Sequence, residues 1–374
     1  MGARVMILAG GTGGHVYPAL AVARELLADG HEVLWMGTRT GLEARVVPAA
    51  GIPVEWLSVS GIRGKGWRGK LAAPFMLARA CLQALAILRR AKPDVVLGMG
   101  GFVSGPGGLL ARALGIPLVL HEQNRVPGTT NRWLARWANV VLEAFPNSFP
   151  AKTGARCVGN PLRREIAASG KLRVASDESA AASSPTPRIL VVGGSLGAKA
   201  LNENVPEALS RIGIPIQVRH QTGPAMREET ENRYARSGID ARVEAFVENM
   251  AEAYAWADLA ICRAGAMTVS ELSAAGLPAI LIPFPYAIDD HQTQNARYLA
   301  DAGAAVLLPQ TELTPERLAA EIQAVFADPE RPRAMAEHAM ALAKPEATRT
   351  VADICLECLK PLTFQHSPPA NETD

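Results

Sequence analysis

Short apolar runs alternate with longer stretches of helical period through most of the chain. Arg4 to Ala9, His31 to Met36, Val95 to Leu97, Pro117 to Leu120 and Val140 to Leu142 are largely apolar, the pattern of strands buried on both faces. Between them, Pro18 to Ala28, Leu71 to Arg90, Gly105 to Ala113 and Asn131 to Ala138 read as helices. The alternation predicts an α/β fold with a doubly wound parallel sheet.

From Ala167 to Pro187 the period disappears in a stretch rich in Ala, Ser and Pro, which reads as a mobile loop near a domain boundary. Arg188-Ile-Leu-Val-Val192 then restarts the alternation and runs into Gly193-Gly-Ser-Leu-Gly-Ala198. The order of residues 4 to 28, strand then Gly-rich loop then helix, is thereby repeated. Two Rossmann-like halves facing a cleft are expected, with ligands at the carboxyl ends of the strands.

Composition narrows the partners. Of 374 residues, 48% are hydrophobic and 20% charged, which excludes a disordered chain; a net charge of +2 gives no bulk attraction to nucleic acid. Five cysteines and only a short apolar run before Gly10 suit a reducing compartment rather than secretion. Cys355 and Cys358 have the spacing of half a zinc site, but no second pair follows, so they are expected to be helix residues and no metal is assigned.

The first loop, Ala9-Gly-Gly-Thr-Gly-Gly-His15, suggests a phosphate cradle at a helix N-terminus, or simply a tight strand-to-helix turn. It is not the dinucleotide fingerprint: Val16 stands where a third glycine belongs, and Trp35-Met-Gly-Thr38 carries no acid for a ribose hydroxyl. Gly193 to Lys199 lacks the Gly-Lys-Ser/Thr ending of an NTP-binding loop. A third helix-opening turn, Cys262-Arg-Ala-Gly-Ala-Met-Thr-Val-Ser-Glu271, can hold a diphosphate with Arg263 while Glu271 accepts ribose hydroxyls. The amides and carboxylates of Phe284 to Asn295 suit a sugar. Together these describe a nucleotide sugar.

Several motifs recur in order: GGTGGHVYPAL, GGFVSGPGG at Gly100 to Gly108, HEQN at His121 to Asn124, GNPLR at Gly159 to Arg163, GGSLGA, HQTG at His220 to Gly223, and CRAGAMTVSELSAAGLP at Cys262 to Pro278. With this set the chain resembles the glycosyltransferases of the GT-B fold, in particular those that move N-acetylglucosamine from UDP-GlcNAc to undecaprenyl-pyrophosphoryl-MurNAc-pentapeptide, lipid I. The resemblance implies an inverting transfer without cofactor, peptidoglycan synthesis at the cytoplasmic face of the inner membrane, and other cell-wall synthesis proteins as partners. It implies an N-terminal acceptor- and membrane-binding domain over 1–163 and a UDP-GlcNAc domain over 164–340. A helix returning to the first domain over 341–364, within a helical reading of Glu337 to Leu359, and a disordered tail over 365–374 complete the layout. Thr12, Gly13, Gly14 and Asn124 are implied at the donor sugar, Arg163 and Ser195 at the diphosphate, and Val247 at uracil through its backbone. Ala266, Met267, Thr268, Val269, Ser270 and Glu271 are implied at phosphate and ribose, Gln292 at the sugar, and Gly100, Gly101 and Ser104 at the acceptor's pyrophosphate. Leu196 departs from the family, where Gln is frequent.

The transfer needs a base for the acceptor's 4-hydroxyl. His15 has the side chain whose ordinary pKa, about 6.5, lies near neutrality, and a helix N-terminus favours its uncharged form. Glu122 is the second candidate, as base or as an acceptor-binding group, while His121 and His220 are expected to be structural. Arg163, Arg263 and the Ser195 turn are nominated to receive the departing charge. Residues 61–92 carry eight Lys or Arg and no acid. With Trp67, Phe75 and Met76 they suit an anionic membrane surface, whereas Leu82 to Leu88 are expected to be core. A UDP-GlcNAc 2-epimerase or a non-catalytic sugar-nucleotide scaffold would leave that basic loop, or His15, without a task.

Overall fold

The computed structural model describes residues 2–58, 67–170, 186–194 and 197–359, with only the backbone of 67–73 and 288. Ser195 and Leu196, the basic loop before Trp67 together with the Trp67 side chain, most of the Ala167–Pro187 stretch and the tail beyond Leu359 lie outside the described residues and side chains.

Two parallel sheets carry the chain. The first contains β1 (Arg4–Leu8), β2 (Glu32–Gly37), β3 (Val54–Trp56), β4 (Val95–Gly98), β5 (Leu118–Glu122), β6 (Val140–Glu143) and β7 (Arg156–Cys157), in the order β3-β2-β1-β4-β5-β6-β7. The second contains β8 (Arg188–Val192), β9 (Gln217–Gln221), β10 (Ala241–Glu244), β11 (Leu259–Cys262), β12 (Ala279–Leu281) and β13 (Ala305–Leu307), in the order β10-β9-β8-β11-β12-β13. Val5 pairs with Val33 on one side and Val95 on the other, and Val5 to Leu8 are inaccessible to solvent. Such near-continuous Val, Ile and Leu is what a strand covered by helices on both faces requires.

In each sheet the crossovers reverse direction beside the first strand, between β1 and β4 and between β8 and β11. A crevice opens at the carboxyl ends there because the following loops part to opposite faces. The helices Gly13–Ala28 and Ala266–Ala275 begin at these two points and touch one another. The halves thus present their switch points to each other.

Two helix readings are corrected. Glu337 to Leu359 is not continuous: Glu330–Ala341 ends before Pro345, and Ala347–Glu357 begins after it. The ring has no N–H to donate and crowds the preceding turn, so the chain turns there. The last helix packs Val351, Ala352 and Cys355 into the core of the first sheet's helices, and Arg349 pairs with Asp29 and Glu25. Cys355 is fully buried and Cys358 packs beside the same core; among the described residues no cluster of metal-binding side chains occurs. In the helix Trp67–Ala91, Ala84, Ile87 and Leu88 are core, but Leu82 is 68% exposed because it falls off the 80-84-87-91 stripe.

Candidate functional site

Three loops converge on His15. The turn after β1 brings Gly10 and Gly11 to the start of helix Gly13–Ala28, in whose first turn His15 stands, and Thr12 accepts the N–H of His15 and Val16 through its carbonyl. The loop after β4 passes so close that a Cβ on Gly100 would lie 3.0 Å from the imidazole, and one on Gly101 would lie 2.4 Å from the Gly10 carbonyl oxygen. Both have positive φ, 96° and 82°, so glycine is demanded by conformation and by space. The loop after β5 supplies Gln123, whose Oε1 lies 2.8 Å from His15 Nδ1.

Behind Gln123 the contacts continue inward. Its Nε2 lies 3.1 Å from His121 Nδ1 and 3.0 Å from the His121 carbonyl, and His121 Nε2 lies 2.8 Å from the Gly159 carbonyl. Burial pushes the His121 imidazole down to about 4, so it is neutral at pH 7. His220 is likewise buried, between Tyr234 and Asn202, and lowered to about 3.

Glu122 is buried with its carboxylate saturated. Oε1 accepts from the N–H and Nδ2 of Asn124, and Oε2 from Gly128 N–H and Asn131 Nδ2. It ties the Gln123–Gly128 loop together and presents no free oxygen to the cleft. The Ser104 hydroxyl, fully buried, donates within the carbonyls of Leu8 and Gly100 and accepts from Gly100 N–H, so its side chain shapes the glycine loop from beneath. Glu43 was not singled out by any sequence pattern. Its buried carboxylate accepts from Gly11 N–H, Thr38 N–H and the Thr38 hydroxyl, and so sits inside the first glycine turn.

The second half is arranged differently. Helix Ala266–Ala275 has Gly265 at its cap, no side-chain cap and no acid in its first turn, leaving its first N–H groups and positive end open to an anion. Met267, Thr268 and Ser270 line its accessible side, while Ala266 and Val269 face the core and offer backbone. Glu271 is held by the Tyr254 hydroxyl, which donates to Oε2 at 2.9 Å, and Arg163 Nη2 lies 4.0 Å from Oε1. Burial raises the Glu271 carboxyl, and the Tyr254 bond and Arg163 oppose that rise. Arg163, half-buried, thus stands beside Glu271. Arg263 is engaged elsewhere: it donates to the carbonyls of Ile282 and Pro283 and to Gln310 Oε1, and lies over the Phe284 ring. Gln292 accepts the Phe284 N–H, and Val247 is buried beside exposed Phe246.

The halves are joined at the cleft by two asparagines, Asn295, expected among the sugar-binding amides, and Asn160, which had no expected role. Asn295 Oδ1 accepts the Arg125 N–H and its Nδ2 donates to Asn124 Oδ1. Asn160 Nδ2 reaches both the Gln123 carbonyl and Ser270 Oγ at 3.0 Å.

Two family models match this architecture, the glycosyltransferase family 28 N-terminal domain over residues 5–143 and its C-terminal domain over 188–351. The chain belongs to glycosyltransferase family 28. Among family 28 relatives, the UDP-N-acetylglucosamine–N-acetylmuramyl-(pentapeptide) pyrophosphoryl-undecaprenol N-acetylglucosamine transferase of Methylococcus capsulatus is 63% identical over 362 residues, 96% of this chain and 99% of the relative. The Stutzerimonas stutzeri protein of that name is 52% identical over 96% of this chain and 99% of its own. The crystal structure of Acinetobacter baumannii MurG covers 95% of this chain and 99% of that one, at 44% identity and a TM-score of 0.83. A solved UDP-N-acetylglucosamine 2-epimerase, 16% identical over 94% of this chain and 95% of that one, has a TM-score of 0.63 and shares the fold alone.

Seen as a family 28 site, the cleft gathers Thr12 to His15, Gly100, Gln123 and Asn124 on one wall and Arg163 and Ala266 to Glu271 on the other. Gln123 lay within the HEQN motif and could have been found as the residue between two candidates. Asn160 lay within GNPLR, where only Arg163 was given a task.

Proposed function

We propose that this family 28 chain is an inverting glycosyltransferase that moves N-acetylglucosamine from UDP-GlcNAc to the 4-hydroxyl of MurNAc in undecaprenyl-pyrophosphoryl-MurNAc-pentapeptide. The observation that carries the reading is identity of 63% over nearly the whole length of a relative bearing that name. The site's chemistry supports it: an uncapped helix terminus and a nearby cation for diphosphate, a largely buried carboxylate for ribose, and an imidazole on the opposing wall.

In this reading His15 Nε2 takes the proton of the 4-hydroxyl as its oxygen bonds to C1 of the sugar. The C1–O bond to UDP breaks with its electron pair, and the developing diphosphate charge meets Arg163 and the N–H groups of Ala266 to Thr268. Glu271 accepts from the ribose hydroxyls, Val247 presents backbone to uracil, and Gln292 and Asn124 contact the sugar. Arg263 keeps the Phe284 loop in place. Glu122 holds the Asn124 loop, which favours His15 as base.

Among the described residues no helix is long and apolar enough to cross a membrane. Phe75, Leu77 and Leu82 are exposed by 81%, 48% and 68% on one helix continuous with the basic segment. We assign this surface to anionic lipid, placing the chain peripherally at the cytoplasmic face of the inner membrane. The test of the activity is UDP release from UDP-GlcNAc with and without a short-chain lipid I analogue. Acceptor-dependent release is expected; folded protein that binds UDP-GlcNAc yet releases no UDP with acceptor refutes the reading.

A further inference from the structure

The contacts behind His15 dictate where its proton sits. The Gly159 carbonyl can only accept, so His121, buried and 2.8 Å away, carries its hydrogen on Nε2 and leaves Nδ1 as an acceptor. Gln123 therefore turns its NH2 toward His121, where the His121 carbonyl is a second acceptor, at 3.0 Å. Its Oε1 is left facing His15 at 2.8 Å, and an amide oxygen can only accept. His15 must donate from Nδ1. Nε2 is the bare nitrogen.

We propose that Gln123, itself oriented by His121, is a positioning residue that locks His15 in the Nδ1–H tautomer and so keeps Nε2 available to receive the acceptor's proton. This rests on the reading of His15 as the base. An imidazole without such a partner divides between two tautomers, and the one protonated at Nε2 cannot take a proton there. A carboxylate, the commoner partner, would also hold the imidazolium; the amide fixes the tautomer without adding charge. The nearby carboxylates are committed: Glu43 to Gly11 and Thr38, Glu122 to its own loop, and Glu271 to Tyr254 with Arg163 beside it. The Gly100 loop contributes none. Gln123 is wholly buried and its backbone carbonyl is held by Asn160 Nδ2, so the side-chain amide has no space to swing away.

The tautomer is read without any variant by long-range 1H–15N correlation on the full chain labelled with 15N-histidine, the His15 signals being identified from their loss in His15→Gln. Protonated Nδ1 and unprotonated Nε2 are expected. In Gln123→Leu the two nitrogens are expected to converge, with kcat falling about 2- to 5-fold as the share of His15 with a bare Nε2 drops to a half or less. Affinity for UDP-GlcNAc should stay within about twofold, since the donor's binding groups are untouched. A wild-type His15 protonated at Nε2 overturns the proposal. So does a Gln123→Leu variant with unchanged tautomer, whether kcat is retained or lost together with donor binding. Failure of the base reading looks different: His15→Ala would then keep turnover with normal donor binding, whatever the spectrum shows.

Discussion

Replacing Glu122 by glutamine separates a loop tie from a proton acceptor. Each carboxylate oxygen receives two donors, Asn124 N–H and Nδ2 on Oε1 and Gly128 N–H and Asn131 Nδ2 on Oε2. The amide has one oxygen and one NH2, so either orientation sets a donor against two donors. The less costly choice places the NH2 toward Asn124, which is partly exposed and whose Nδ2 bond is already long at 3.3 Å. A buried donor left without a partner costs about 1–3 kcal/mol, giving about 3 kcal/mol for the pair after relaxation. For a domain of this size each kcal/mol shifts the midpoint by about 2–4 °C, so Glu122→Gln should melt about 6–12 °C lower. Calorimetry on wild type and variant, with turnover per folded molecule measured well below both midpoints, checks this. A variant that melts within about 2 °C of wild type yet loses about 10³-fold in kcat would refute the reasoning and make the carboxylate itself the base.

Acid should destabilise both halves through their buried histidines. The folded values, about 4 for His121 and about 3 for His220, lie below the ordinary value, so the unfolded chain binds more protons. Stability is complete above about pH 6.5 and falls below it; by pH 5 each contributes a loss of about 2 kcal/mol, and urea midpoints unchanged between pH 7 and 5 would contradict it. Tyr254→Phe removes the donor to Glu271 Oε2. It should raise KM for UDP-GlcNAc about 3- to 10-fold with kcat nearly unchanged, more so at lower pH because Glu271 then protonates more readily; initial-rate kinetics at two pH values decide. Phe75→Glu, at a side chain 81% exposed, should reduce co-sedimentation with anionic vesicles and leave the thermal midpoint within about 1 °C; unchanged sedimentation would remove this residue from the membrane surface.

The two-sheet architecture was legible because parallel strands buried on both faces write themselves as runs such as Val5 to Leu8. Edge strands did not: β3 and β7 have three and two residues, too few for any period, and Glu55, Arg156 and Cys157 carry no strand signal. Pro345 stood in plain view inside the last helical stretch, but apolar spacing on either side outweighed it. Residue types with obvious chemistry, such as His15 and Glu271, were legible on the cleft. What the types concealed was commitment. Arg263 and Glu122 have the right functional groups, yet both are engaged: Arg263 by the distant Ile282 and Pro283 carbonyls and Gln310, and Glu122 by donors of its own loop and of Asn131 just beyond, pairings that residue type alone does not report. Gln123 and Asn160 are silent in the sequence for the converse reason, since an amide acquires a task only from what faces it.

The carboxylate of Glu43 within the first glycine turn makes the two halves unequal as hosts. It is a resident ligand on the same chain, at an effective concentration of at least about millimolar, so a free anion arriving at the Gly11 N–H must displace a competitor that never diffuses away. Its charge also offsets the positive end of helix Gly13–Ala28, whereas helix Ala266–Ala275 has no acid in its first turn. The two helix-opening turns therefore differ in what they suit: the one holding Glu43 an uncharged hydroxyl or sugar, the uncapped one at Ala266 an anion such as phosphate. Under the proposed transfer this difference sets the donor's polarity, with its diphosphate at the Ala266 helix and its sugar turned to the wall that carries His15.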